Sequence, residues 1–256
     1  MFLKEKRDKT IKGRTVARGN KQCNCVSKKD VSLPTVSTES VLLSCIIDVH
    51  EGGDVAVMDI PNAFIQTRVE CKQDMVVMKL CRVSVDTLLE IAPETCKEHV
   101  TKDKKKNTKQ LIVQCQNAIC GVMMSSPLCC KKFMGSIMEH RFEVNPCDPC
   151  IANKTVDGKQ MTILCHVDDC KLSHIDLKAS DKMIEWLQDN HESIFEDGTG
   201  EMKMNQGKVH KFSGMTLDFM SPGEVVVTML DHIKEPLSAF QKAAPKMQGA
   251  KTSAMP

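Results

Sequence analysis

The sequence predicts an α+β fold with a mostly antiparallel sheet. Strand-like and helix-like runs are interspersed without a strict βαβ rhythm, which points away from a parallel sheet. Two strand candidates, 150–155 and 160–166, meet around Asp157-Gly158, a turn pair that closes antiparallel hairpins. The chain has 256 residues, 41% hydrophobic and 27% charged, enough to bury a sizeable core and too apolar for a disordered chain.

The elements follow in order. Residues 10–18, TIKGRTVAR, alternate loosely and suit a strand, and 31–36, with Pro34, suit a loop. Ser37 or Thr38 can cap a helix, since its side-chain oxygen satisfies a free N–H in the first turn. Val41, Leu42, Cys45, Ile46 and Val49 continue that helix, and Gly52-Gly53 ends it. DVAVMDI, 54–60, is a short strand stopped by Pro61, which has no N–H to donate. A helical turn through Asn62, Ala63 and Phe64 comes next, then a strand at 75–80, a helix at 84–92 and a charged loop at 101–109. A strand spans 109–115. Ser125 or Ser126 with Pro127 starts a helix that runs to about Arg141. After the hairpin, a third strand at 170–174 follows the tip Val167-Asp168-Asp169. A helix over 177–190 has Met183, Ile184 and Leu187 on one face; short strands at 208–212, 215–219 and 224–229 and a helix near 231–240 complete the chain.

No apolar run approaches the roughly 18 residues of a membrane span. The N-terminus, MFLKEKRDKT, lacks the apolar stretch of a secretory signal. A cytoplasmic or nuclear location without membrane attachment is the expectation. Net charge is only +2, yet residues 1–29 carry ten Lys or Arg against two acids, a local basic face suited to phosphates. The 14 cysteines are read as reduced thiols. Cys147-x-x-Cys150 has zinc spacing but no second such pair accompanies it, so scattered buried thiols are favoured over a zinc site.

Two features carry chemistry. Asp59 ends a strand, and Asp168 and Asp169 occupy a hairpin tip. Adjacent carboxylates repel, and a third beside them costs more unless a cation compensates. If the strands are neighbours, the three make a hard-oxygen site suited to Mg²⁺. Two such ions about 3.5–4 Å apart can activate a 3′-hydroxyl and steady a leaving pyrophosphate. Turn statistics alone favour ordinary turn chemistry for Asp-Asp. His166 and His174 are expected to point away from such a site.

MDIPNAF (58–64) and HVDD (166–169) resemble the two aspartate motifs of copia-type LTR-retrotransposon reverse transcriptases. HVDD stands where many reverse transcriptases have Tyr-x-Asp-Asp. FLKEKRDKTIKGRTVARGNKQ resembles the start of the fingers region. VNPCDPCIANKTVDGKQMTILCHVDDCKLSH resembles the segment around the second motif. GKVHKFSGMTLDF resembles the strand pair after the palm, with Ser213-Gly214 in place of Leu-Gly. The wording is closest to copia-like elements of diatoms and other algae, and the similarity spans nearly the whole chain.

The resemblance implies a right-hand polymerase fold of palm and fingers with the thumb partial or absent. It implies one reverse transcriptase domain over 1–256: 1–53 fingers-like, 54–220 palm with inserted fingers elements, and 221–256 the end of the palm and a truncated thumb connection. It implies RNA-directed DNA polymerisation, a nucleotidyltransferase activity, on an RNA or DNA template-primer with dNTPs. Asp59, Asp168 and Asp169 would be the catalytic, metal-binding carboxylates for two Mg²⁺ ions, with Mn²⁺ as a substitute. The Ile60 carbonyl would complete the shell. Asn62, Ala63 and Phe64 would line the nucleotide site, Phe64 blocking a ribose 2′-hydroxyl. Lys12 or Arg14 would grip the triphosphate, and Gly121 would let backbone approach template and nucleotide. Integrase and ribonuclease H segments are absent from this chain, which reads as a fragment of a polyprotein.

The chain departs from the family pattern in having no tyrosine and a single tryptophan, Trp186. Cys120, Cys130, Cys147 and Cys165 stand where the family tends to place an aromatic ring, and Met124 where it places Gln. Each lost core ring removes packing of about 3–5 kcal/mol, against a net domain stability of roughly 5–15 kcal/mol. The pattern fits a decayed or truncated copy of such a polymerase domain; a non-catalytic nucleic-acid-binding remnant is the alternative, ahead of a cysteine-rich zinc-binding domain.

Overall fold

The computed structural model describes residues 2–5, 11–14, 16–24, 35–70, 75–191 and 201–243. Lys6, Arg7, Lys9, Lys28 and Lys29, most of the loop expected at 31–36, and the side chains of Lys12 and Arg14 lie outside that set.

The chain begins with β1 (Phe2–Glu5), β2 (Ile11–Arg14) and a 3-10 turn over Gly19–Asn24. Then come α1 (Thr38–Glu51), β3 (Asp54–Asp59), α2 (Ala63–Gln66), β4 (Val76–Cys81), α3 (Val83–Ile91) and α4 (Pro93–Cys96). Next are β5 (Thr101–Lys102), β6 (Lys109–Cys115), α5 (Ser125–Glu139), β7 (Glu143–Val144), β8 (Ile151–Val156), β9 (Lys159–His166) and β10 (Asp169–His174). The chain continues with α6 (Leu177–His191), β11 (Lys203–Asn205), β12 (Val209–Phe212), β13 (Met215–Asp218), β14 (Val226–Thr228) and α7 (Leu230–Ala243). Every strand pairing among the described residues is antiparallel, as expected of an α+β chain. No helix among the described residues is long and apolar enough to cross a membrane.

The chain divides into two compact units: Met1–Pro34 with Asn62–Ser136, and Thr35–Pro61 with Ile137–Pro256. In the first, β1 pairs with β2, and β4, β6 and β5 form a second small sheet in that order. The expected charged loop at 101–109 is a turn built on Asp103. Its carboxylate accepts from Lys79 Nζ at 2.5 Å and from the backbone of Lys105 and Lys106, which together hold its pKa down to about 2. Gly19 and Gly121 meet back to back in this unit. A Cβ on Gly121, whose φ is +88°, would collide with the Ala17 carbonyl oxygen and with Val16 Cγ1 at 2.5 Å, and one on Gly19 with the Gly121 carbonyl oxygen. The Ala17 N–H donates to the Cys120 carbonyl at 2.8 Å across this contact.

The second unit is built on a six-stranded sheet in the order β11-β3-β10-β9-β8-β7, with a three-stranded sheet β12-β13-β14 beside it. Asp157 (φ 48°) and Gly158 (φ +75°) close the β8–β9 hairpin with the two left-handed residues its turn demands. Helix α1 starts where the sequence places its cap. The Ser37 side chain accepts from the Ser40 N–H at 3.1 Å, and Gly52 ends the helix at φ 68°. Asp148 anchors this start by accepting from the Ser37 N–H at 3.0 Å. Val41 and Cys45 of α1 pack on Val57, Ile151 and Leu164 of the sheet, joined by Phe212, Met215 and Leu217 from β12–β13. Helix α6 buries Met183, Ile184 and Leu187, the face its periodicity marked. Full burial of such side chains contributes about 1.5–3 kcal/mol each, so β3, apolar on both faces, forms the centre with β10, which is buried on both faces but carries Lys171 and Ser173 on one of them.

Candidate functional site

The two central strands of the second unit bring the three aspartates to one end of the sheet. Asp59, the last residue of β3, is the direct register partner of Asp169, the first residue of β10. Directly opposed residues project from the same side of a sheet, with Cβ atoms about 4.5–5.5 Å apart. Asp168 sits in the turn immediately before, and its carbonyl accepts from the Ile60 N–H at 2.8 Å. That bond ties the end of the Asp59 strand to the tip of the hairpin. Asp59 and Asp168 are exposed, Asp169 is half-buried and Ile60 is buried.

The hairpin tip differs from the expected one by a single residue. Strand β10 starts at Asp169 instead of 170, so the turn is two residues, Val167 and Asp168. Asp169 then pairs with His166 across β9–β10. A shift of one residue reverses the face of every side chain that follows. His166, expected to point away, stands beside Asp169 instead and draws its carboxyl pKa downward. His174 does lie away, buried at the far end of β10, where its Nδ1 accepts from the Asp176 N–H at 3.1 Å. The turn also holds Val167 at φ 62°. A β-branched residue there is a genuine outlier, at about 1–3 kcal/mol.

Electrostatics at this end are dominated by like charge. Burial pushes the Asp169 carboxyl above the usual carboxylate range, and the neighbouring carboxylates of Asp168 and Asp59 push it further. His166 and a hydrogen bond from the Ser213 backbone pull the other way. On the other side of Asp59, Lys203 of β11 is its register partner. One row across four strands therefore reads Lys203, Asp59, Asp169, His166, acids in the middle and a basic residue at each end. Sequence reading missed both outer members. Lys203 lies in a three-residue strand exposed throughout, which has no hydrophobic rhythm to read; His166 was misplaced by the turn length.

The donors fit a divalent cation in chemistry and in backbone register: hard carboxylate oxygens from a strand end and an adjacent turn. As the side chains stand, no three His, Cys, Asp or Glu groups among the described residues are set to hold an ion together, these aspartates included. Of the remaining residues singled out by sequence, Asn62, Ala63, Phe64, Gly121, Lys12 and Arg14 belong to the other unit. Asn62 adopts φ 51° ahead of α2, a left-handed conformation that Asn tolerates. Ala63 opens α2, its carbonyl accepting from Thr67 Oγ1 at 2.9 Å, and Phe64 is half-buried there. The tight backbone approach at Gly121 is to Val16 and Ala17 of the chain itself.

The cysteines expected to replace core rings divide. Cys165 is buried, Cys120 and Cys130 are half-buried in or next to the first unit's α5, and Cys147 is exposed. Cys147 therefore cannot stand for a lost core ring. A feature invisible in the sequence lies two residues beyond Asp169. Lys171 is fully buried, and its ammonium donates to Asp48 Oδ2 at 2.5 Å and to Ser44 Oγ at 2.5 Å, both on α1.

No family model matches the chain, and no curated protein matches it. Among solved structures it is similar to apo telomerase from Candida tropicalis, with 12% identity over 81% of this chain and 38% of that one, at a TM-score of 0.39. Telomerase from Candida albicans in complex with a TWJ fragment of telomeric RNA gives 10% identity, 85% and 40% coverage and a TM-score of 0.37. The C. tropicalis enzyme truncated from its C-terminal domain gives 10%, 82% and 44%, with a TM-score of 0.39. The chain spans about two fifths of the length of these proteins.

Proposed function

We propose that the chain is the RNA-directed DNA polymerase domain of a copia-type retrotransposon, acting on an RNA or DNA template-primer and dNTPs. The observation that carries this reading is the pairing of Asp59 with Asp169 across β3 and β10, with Asp168 in the adjoining turn. It supports the reading because residues 109 and 110 positions apart in sequence, each within a motif resembling that family, share one sheet end. On this reading residues 1–53 are fingers-like, 54–220 are palm with inserted fingers elements, and 221–256 are the end of the palm and a truncated thumb connection.

Asp59 and Asp168 would hold Mg²⁺ or Mn²⁺, with Asp169 and the Ile60 carbonyl assisting. The chemistry such ions would supply when bound is activation of a 3′-hydroxyl and stabilisation of the leaving pyrophosphate. The chain's own part is placement: the β3–β10 ladder and the Ile60–Asp168 hydrogen bond fix where the carboxylates stand. Lys12 or Arg14 would meet the triphosphate, and Asn62, Ala63 and Phe64 the nucleotide, Phe64 excluding a 2′-hydroxyl.

The test is primer extension on an RNA template with Mg²⁺ and with Mn²⁺, alongside Mn²⁺ binding followed by its electron-spin resonance signal. Asp168→Asn is expected to abolish extension and weaken Mn²⁺ binding while leaving the unfolding transition in place. A second reading, a non-catalytic nucleic-acid-binding remnant, is favoured by the fact that the three carboxylates are not set around one point. Template binding without extension and without Mn²⁺ binding would establish it against the first.

A further inference from the structure

We propose that Cys165 and Cys170 form a redox-active dithiol, a site of reversible two-electron oxidation at the base of the hairpin that carries Asp168 and Asp169. The inference stands on hairpin geometry alone and does not depend on the polymerase reading.

Cys165 on β9 and Cys170 on β10 are direct register partners, one step below the pair His166 and Asp169 that closes the turn. Their sulfurs lie 3.7 Å apart. The Cys165 N–H donates to the Cys150 carbonyl on the far side, at 2.9 Å, so it is not exchanged with Cys170. The two therefore occupy a non-hydrogen-bonded position of the ladder, where opposed Cα atoms approach to about 4.5 Å. A disulfide spans Cα separations of about 4.4–6.8 Å, so the backbone is already within range. What remains is rotation of two side chains to close the sulfurs to about 2.05 Å.

Access selects the oxidant. Cys165 is 6% exposed and Cys170 1%, which admits a small neutral peroxide and excludes bulky disulfides from the first step. The Cys165 sulfur attacks one oxygen of hydrogen peroxide, the O–O bond breaks, and the thiol proton leaves with the departing hydroxide as water. Cys165 is then a sulfenic acid. The Cys170 sulfur attacks the Cys165 sulfur, the S–S bond forms, and the displaced hydroxyl leaves with the Cys170 proton as a second water. Two thiols have lost two electrons and two protons, and the peroxide has become two waters. A small dithiol such as dithiothreitol reverses the change by exchange.

Trypsin isolates the pair cleanly. Cleavage after Lys159 and Lys171 releases QMTILCHVDDCK, residues 160–171, which holds both thiols and no other cysteine. The full chain, folded, is treated with hydrogen peroxide at a dose that oxidises the exposed Cys147, then unfolded in urea, alkylated with iodoacetamide and digested. The expected result is a 160–171 peptide that takes up no alkyl group and is lighter by two hydrogens. Dithiothreitol before alkylation restores two reactive thiols. In Cys170→Ser the sulfenic acid at Cys165 persists and is trapped by dimedone. Full alkylation of both thiols after that dose, or a bond from either to a different peptide, would overturn the proposal.

Discussion

Asp169 and Lys171 stand two residues apart on one strand and, by the two-residue period of a strand, project to the same side. Lys171 is entirely buried, with a carboxylate and a hydroxyl each 2.5 Å from its ammonium. Asp169 is half-buried beside two further acids, and its burial first and then those acids raise its carboxyl pKa. One charge has been matched and sealed under α1; the other has been left in a cluster that repels itself. The contrast separates what holds the sheet from what the sheet displays. A sealed charge has to be paired, whereas an exposed strand end tolerates like charges side by side.

Breaking the matched pair carries the largest expected effect. Asp48→Ala leaves the Lys171 charge buried and unpaired and should cost about 3–5 kcal/mol, read as a fall in the urea midpoint at unchanged slope. Replacing both partners, Lys171→Met with Asp48→Leu, should recover most of that loss, since the penalty lies in the uncompensated charge. A double variant as unstable as the single one would show that Lys171 and Asp48 hold the helix by more than charge.

An intermediate effect is expected at Cys165. A ring there meets Cys170 and, on the same face of the sheet, the buried Ile163 and Leu172, so Cys165→Trp should overpack and cost about 1–3 kcal/mol. Cys147→Tyr, on the surface, should stay within about 0.5 kcal/mol. Thermal unfolding of the two variants separates a core that has closed around the thiol from one that still keeps a cavity for a ring.

The smallest effect has the most informative sign. The Asp169 pKa is raised in the folded chain, so between its ordinary and raised values the folded state binds more protons than the unfolded. Stability therefore falls as pH rises through that window and stays lowered at neutral pH. Asp169→Asn should raise the unfolding midpoint at pH 7. The advantage should vanish below the ordinary aspartate range, where both states are protonated. A midpoint that falls at pH 7 would mean the carboxylate is held by partners that outweigh the repulsion.

Much of this was legible because local chemistry decides it. Ser37 and Gly52 bracket α1, Asp157-Gly158 closes β8–β9, and Pro61 stops β3, each for a reason confined to a few residues. The short strands β5 and β7, two residues each, offer no period to detect and are set by their partners. Asp59 and the Asp168-Asp169 pair were readable as a strand end and a hairpin tip. Which neighbours they have was not, because His166 turns on a one-residue difference in turn length and Lys203 on a strand without apolar rhythm. The Lys171–Asp48 pair spans 123 positions and depends on α1 lying over the sheet, which no local pattern encodes.

The contact between Gly19 and Gly121 bears on how the chain is made. Its two sides are separated by about a hundred residues, and the intervening stretch 35–61 belongs to the other unit. On a ribosome adding about 5–20 residues per second, the segment around Ala17 waits roughly 5–20 s before Cys120 exists to accept its hydrogen bond. Through that interval β3, apolar on both faces, has also been made and lacks β10, which comes later still. Neither unit can be completed before part of the other has been synthesised. The nascent chain thus carries an unpaired apolar strand while residues 60–168 are made, the interval in which a holding chaperone has the most to protect.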